Sequence, residues 1–159
     1  MSHEIDQSNG KNNMAYIGEK PWHGLGQELT EGESMDQWRI AAGLDWSIES
    51  SLVNYPVENT DYDETDINSS PTSMIEIPDK RILYRSDTKA DLGIVSTNKF
   101  NVVQPAEVFD FYKDLVDAGD YTMETAGSLK GGKVIWALAK THNSFRLKGQ
   151  DLVESYLLL

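Results

Sequence analysis

The chain has 159 residues, 39% hydrophobic and 25% charged, enough for one ordinary domain with a core and some disordered length. It contains no cysteine, which excludes disulfides, thiolate metal sites and a cysteine nucleophile. Its net charge of −12 argues against nucleic acid only if the charge is evenly spread along the chain.

The first thirteen residues are polar, without the apolar region of a secretory signal, and read as a disordered tail. With no apolar run near the ~20 residues that span a bilayer, a cytoplasmic protein is expected. Residues 14–56 form an N-terminal segment packed on the core. In it, Pro21-Trp-His-Gly-Leu-Gly26 predicts an ordered turn pinned by the large side chain of Trp22, with His23, Gly24 and Gly26 shaping it. Ser34 and Gln37 form a capping box, and Met35, Trp38 and Ala42 share one face of a short helix over about 35–42. Gly43 then supplies a left-handed C′ residue. Trp46 to Leu52 reads as a strand.

Residues 57–73 are acidic and short of aliphatics, the composition of a flexible surface loop between two halves. From 74 to 159 the pattern predicts an α+β core. Short strands are expected at Arg81–Arg85, Leu92–Val95 and Phe100–Val103. Pro105 opens a longer helix, about 105–118, with a wide apolar stripe from Val108 to Val116, and Gly119 closes it. Tyr121–Leu129 and Lys133–Lys140 flank Gly131-Gly132, a hairpin signal. Val134 to Ala139 is apolar on both alternating faces, as in a central strand. Thr141–Ser144 and Gly149-Gln150 read as turns around further strands. The apolar end, Tyr156 to Leu159, suggests a strand interrupted by truncation. The expected fold is therefore α+β, a mainly antiparallel sheet backed by the longer helix.

Several phrases resemble a known family: Pro21–Gly26, Ala42-Gly-Leu-Asp-Trp46, Val102-Val-Gln104 with Glu107-Val-Phe109, and Ala126–Gly132 with Trp136-Ala-Leu-Ala139. They are similar to the phage/plasmid-like group of the domain-of-unknown-function 932 family. The resemblance covers the chain from about His3 onward, with a gap over the acidic loop. It implies a longer protein encoded by a mobile element, and carries over no activity or catalytic residue.

The candidate chemistry is thin. His23 could titrate near neutral pH, but no acid–base partner can be named, so a structural hydrogen bond is the simpler expectation. His3, His23 and His142 share no metal-ligand spacing. Asp61, Asp63 and Asp66 fail the calcium-loop pattern at Asp66 and Thr72. Gly127 and Gly132 have P-loop spacing, yet Val134 replaces the hydroxyl residue and a strand follows. No metal or cofactor is expected.

Charge along the chain is more informative. Residues 1–79 hold 3 Lys/Arg against 16 Asp/Glu, whereas residues 121–150 hold five cations against Glu124 alone. Lys130, Lys133, Lys140, Arg146 and Lys148, with aromatics Tyr121, Trp136 and Phe145 among them, suggest a single-strand nucleic-acid surface. The same residues could simply be solvating lysines over core aromatics, with Trp136 held in the doubly apolar strand. A non-enzymatic accessory in mobile-element DNA metabolism, binding or annealing single strands, is the leading expectation. The alternative is an inhibitor or decoy, its acidic first half engaging a basic protein such as a host defence or DNA-binding protein. Gly127, Gly131, Gly132 and Trp136 are expected to serve structure.

Overall fold

The computed structural model of the chain describes residues 4–148 and 151–159. The elements in chain order are β1 (Met14–Tyr16), β2 (Gln27–Glu28), α1 (Met35–Ala41), β3 (Ile48–Glu58), β4 (Thr72–Arg85), β5 (Asp91–Ser96), α2 (Pro105–Asp117), β6 (Tyr121–Leu129), β7 (Val134–Leu147) and β8 (Asp151–Leu158). They build two sheets: a five-stranded one in the order β2-β1-β6-β7-β8 and a three-stranded one, β3-β4-β5. Among the described residues only the β1–β2 pairing is parallel.

The expected α+β fold, one sheet backed by one longer helix, is thus corrected. The protein is predominantly β, with two sheets and two short helices of 7 and 13 residues. Both helices start as their sequences dictate. The Ser34 hydroxyl accepts from the Gln37 N–H, and the Gln37 side chain accepts from the Ser34 N–H at 2.9 Å. After Ala42, the Leu44 and Gly43 N–H groups return to the carbonyls of Arg39 and Ile40, with Gly43 at φ 66°. Pro105 opens α2, and the Glu107 carboxylate accepts from the Gln104 N–H at 2.6 Å. The Gln104 amide meanwhile clasps both backbone groups of Ile48, joining α2 to the second sheet.

The helices pack together, α2 over β6 and β7 and α1 beside β1, where Ala126, Ala137 and Ala139 leave room for Phe109 and Tyr112. Tyr112 is fully buried and its hydroxyl donates to the Ala137 carbonyl at 2.7 Å. Trp38, Leu44 and Trp46 complete this core. Burying such side chains is worth about 1.5–3 kcal/mol each, and here it fixes the helix pair to the sheet.

Four local expectations also change. Residues 4–13 are not a mobile tail: Ile5 bridges Leu129, while Asp6 and Asn13 are buried. The acidic 57–73 segment is not a loop between halves. It caps a long β3–β4 hairpin, with Val57, Glu58, Thr72 and Ser73 paired in the ladder. Phe100–Val103 is irregular and leads into α2 instead of forming a strand. Thr141–Ser144 does not turn; β7 runs through it with an irregular register against β8. Gly149-Gln150 lies outside the described residues.

Candidate functional site

Three of the five cations singled out by sequence are paired with carboxylates. Lys130 lies 3.4 Å from Glu4, Lys133 binds Asp91 at 3.0 Å, and Lys140 binds Glu154 at 2.5 Å. Their partners come from the N-terminal segment, the three-stranded sheet and β8, so local charge counting could not find them. Glu154 is held below its ordinary carboxylate range by its hydrogen bonds to Lys140 and Tyr156. Arg146 and Lys148, exposed at the far end of β7 beside half-exposed Phe145, have no carboxylate within ion-pair distance among the described residues. Trp136 is half-buried against Gly127, where an added Cβ would collide with its ring.

The Pro21–Gly26 turn is ordered, with Trp22 83% exposed and meeting the His23 ring edge-on at 5.5 Å. Gly26 lets the turn approach β1 closely. Its φ is 106°, and an added Cβ would sit 3.0 Å from the Met14 carbonyl oxygen. Gly24 takes φ 70° in the same turn. His23 Nδ1 accepts from the Leu25 N–H at 3.1 Å, a turn-closing role. The ring also borders a shallow cavity of about 250 Å³ with Met14 and Trp136. His142 contacts the Thr122 hydroxyl at 2.7 Å, remote in sequence from His23, and His3 lies outside the described residues.

The hairpin after β6 turns through Lys130, Gly131 and Gly132 with φ values of 54°, 71° and 95°. Gly132 also faces Trp46 and Arg85, leaving no room for a side chain. Here lies a buried polar cluster, which sequence reading missed. Arg85 is fully buried, stacked 4.4 Å over the Trp46 ring. Its guanidinium donates to Asp6 at 2.5 Å and bidentately to Asp87 at 2.9 and 2.7 Å. Asp6 also accepts from Asn13, Ser128 and the Ser8 N–H. Burial pushes the Asp6 carboxyl up, but hydrogen bonds from Ser8, Asn13 and Arg85 outweigh it and hold the pKa at about 2. Every strong donor and acceptor here is used internally except Asn13 Oδ1, so the cluster clamps sheets together and offers no reactive group.

What remains outward-facing is the β3–β4 hairpin. Beyond the Leu52–Asn54 register shift, Asn54–Glu58 pairs only with Thr72–Glu76, outside the span that β5 covers. This two-stranded arm exposes Tyr55 (46%), Met74 (65%) and Ile75 (43%), and its tip carries Asp61, Asp63, Glu64 and Asp66. The tip is held by short-range bonds: Asp63 accepts from the Thr65 N–H and hydroxyl, and Asn59 donates to the Ser70 carbonyl. Sequence reading missed the arm because a ribbon wet on both faces has no alternating pattern.

Among the described residues no cluster of histidines and carboxylates could hold a metal ion, and no helix is long and apolar enough to cross a membrane. No curated protein and no solved structure matches the chain. Residues 91–159, from β5 through β8, match the family model described as Domain of unknown function (DUF932).

Proposed function

We propose that this protein is a non-enzymatic docking module whose β3–β4 arm engages a partner surface that is apolar at its centre and basic at its rim. The carrying observation is the arm itself: Tyr55, Val57, Met74 and Ile75 stand exposed on a ribbon bordered by Glu58, Glu76 and the acidic tip. Contiguous exposed apolar side chains rimmed by charge are the usual composition of an interaction site.

The test is binding to immobilised poly-L-lysine. One variant neutralises the arm (Glu58→Gln, Asp61→Asn, Asp63→Asn, Asp66→Asn), and a charge-matched control neutralises Asp110, Asp114, Asp117 and Asp120 around α2. The arm variant is expected to lose more affinity than the control. Equal losses would reduce the effect to net charge and overturn the reading.

A second reading is favoured by the exposed end of β7. Phe145, Arg146 and Lys148 together offer a stacking surface and two cations to a single-stranded nucleic acid, a smaller site than the five-cation surface expected from sequence.

A further inference from the structure

We infer that the partner of the arm is a second copy of this chain, whose intersheet cleft receives the arm's apolar ridge. The inference rests on the docking reading above and names its partner.

The cleft is an apolar space of about 510 Å³ between the two sheets. Ile48, Leu83 and Val95 line it from the three-stranded sheet, Val102 and Val108 from the approach and start of α2, and Ile135 from β7. Its volume falls within the ~300–1,000 Å³ of sites that bury an apolar group. Gly93 leaves its floor bare, since an added Cβ there would meet nothing within 4 Å. At its lips Phe100 is 51% and Val103 58% exposed.

The charge around this opening is opposite to that of the arm. Lys133 on one lip is already paired with Asp91 at 3.0 Å, so the positive charge there comes from exposed Lys99, which immediately precedes Phe100. Arg81 shares a sheet face with Leu83 by its register against Val95. The arm presents the converse pattern, an apolar ridge of Tyr55, Val57 and Ile75 with acidic neighbours. Tyr55 pairs with Ile75 and Val57 with Ser73, so these three apolar side chains share one face of the ribbon.

The arm cannot fill the cleft of its own chain. Ile75 and Leu83 lie on one strand, β4, and at ~3.3 Å per residue they stand up to roughly 26 Å apart. The β3–β4 ladder continues on both sides of the register shift at Leu52–Asn54, so β4 does not fold back through that distance. Arm and cleft therefore meet only between copies, either exchanged reciprocally or in a head-to-tail series.

Complementation tests this. An arm variant (Tyr55→Ser, Ile75→Ser) keeps the cleft, and a cleft variant (Phe100→Ser, Val103→Ser) keeps the arm. All four positions are at least 43% exposed, so both variants should retain the wild-type near-ultraviolet circular dichroism and melting temperature. Sedimentation velocity of the full chain, followed up to roughly 0.1 mM, should show self-association. Each variant alone should raise the dissociation constant about 30-fold or more, as loss of a buried apolar anchor does. Mixed at equal concentration, the two variants should form a heterodimer, because one intact arm then faces one intact cleft.

A wild-type chain that stays monomeric overturns the second-copy inference, and the poly-lysine comparison then decides the docking reading separately. Self-association that persists in either variant alone also overturns it, because another surface, such as the β8 edge, would be responsible. Variants that fail to complement when mixed overturn the pairing of arm with cleft.

Discussion

Asp6 and Arg85, 79 residues apart in sequence, meet as a buried ion pair at the junction of the two sheets. Arg85 belongs to β4, while Asp6 precedes β1 and bonds along β6 through Ser128. One guanidinium thereby ties the N-terminal segment, both sheets and the Gly131 carbonyl, to which it donates at 3.3 Å.

Removing one partner of such a pair leaves a buried charge short of compensation. Asp6→Ala is expected to cost about 3 kcal/mol, within the range for breaking buried pairs. Urea denaturation should show a lower midpoint with an unchanged slope. A loss below about 0.5 kcal/mol would mean that Asp87 alone satisfies Arg85.

Asp6 also sets an acid limit. Its folded pKa of about 2 lies below the ordinary 3.8, so the folded state favours the ionised form. This stability is fully present above about pH 4 and is lost as pH falls through about 2. Asp87, lowered by its hydrogen bond to Arg85, adds in the same direction. Denaturation midpoints between pH 5 and pH 2 should fall less steeply in Asp6→Asn than in the wild type.

Two glycines in one hairpin should respond differently to alanine. Gly127 has no room for a Cβ beside the Trp136 ring, so Gly127→Ala should cost roughly 2–3 kcal/mol by overpacking. Gly131 has open space around it but φ 71°, so Gly131→Ala should cost only about 1 kcal/mol. Thermal unfolding of the two variants compares them directly.

The distal end of β7 makes a quantitative prediction for the second functional reading. If Arg146 and Lys148 are the cations that contact phosphates, the log–log salt dependence of binding an oligothymidine should have a slope of about −1.4. Five engaged cations would give about −3.5. Phe145→Ala, Arg146→Ala and Lys148→Ala should each weaken binding, while Lys133→Ala, already paired to Asp91, should not.

The acidic tip should be dispensable for folding. Replacing residues 59–71 by Asn-Gly joins Glu58 to Thr72, which already pair in the ladder, through a two-residue turn. The melting temperature should stay within a few degrees of wild type, whereas a collapse of the fold would show that the tip holds the arm in register.

Much of the local structure was legible in the sequence. The capping box at Ser34 and Gln37, the left-handed Gly43, the α2 limits at Pro105 and Gly119, and the turn at Gly131-Gly132 all appear where neighbouring residues require them. Such signals act within one turn of chain, so residue order alone decides them. So too with β7, whose two apolar faces place it inside a sheet. The tertiary structure decided the rest. It split the expected single sheet in two, drew Asp6 into the interior, and set Glu4, Asp91 and Glu154 against three of the five candidate cations. Whether a charge is buried, paired or open to a ligand depends on what arrives from distant segments. For Lys133 and Asp91, 42 residues apart, only the packing of one sheet on the other could bring them together.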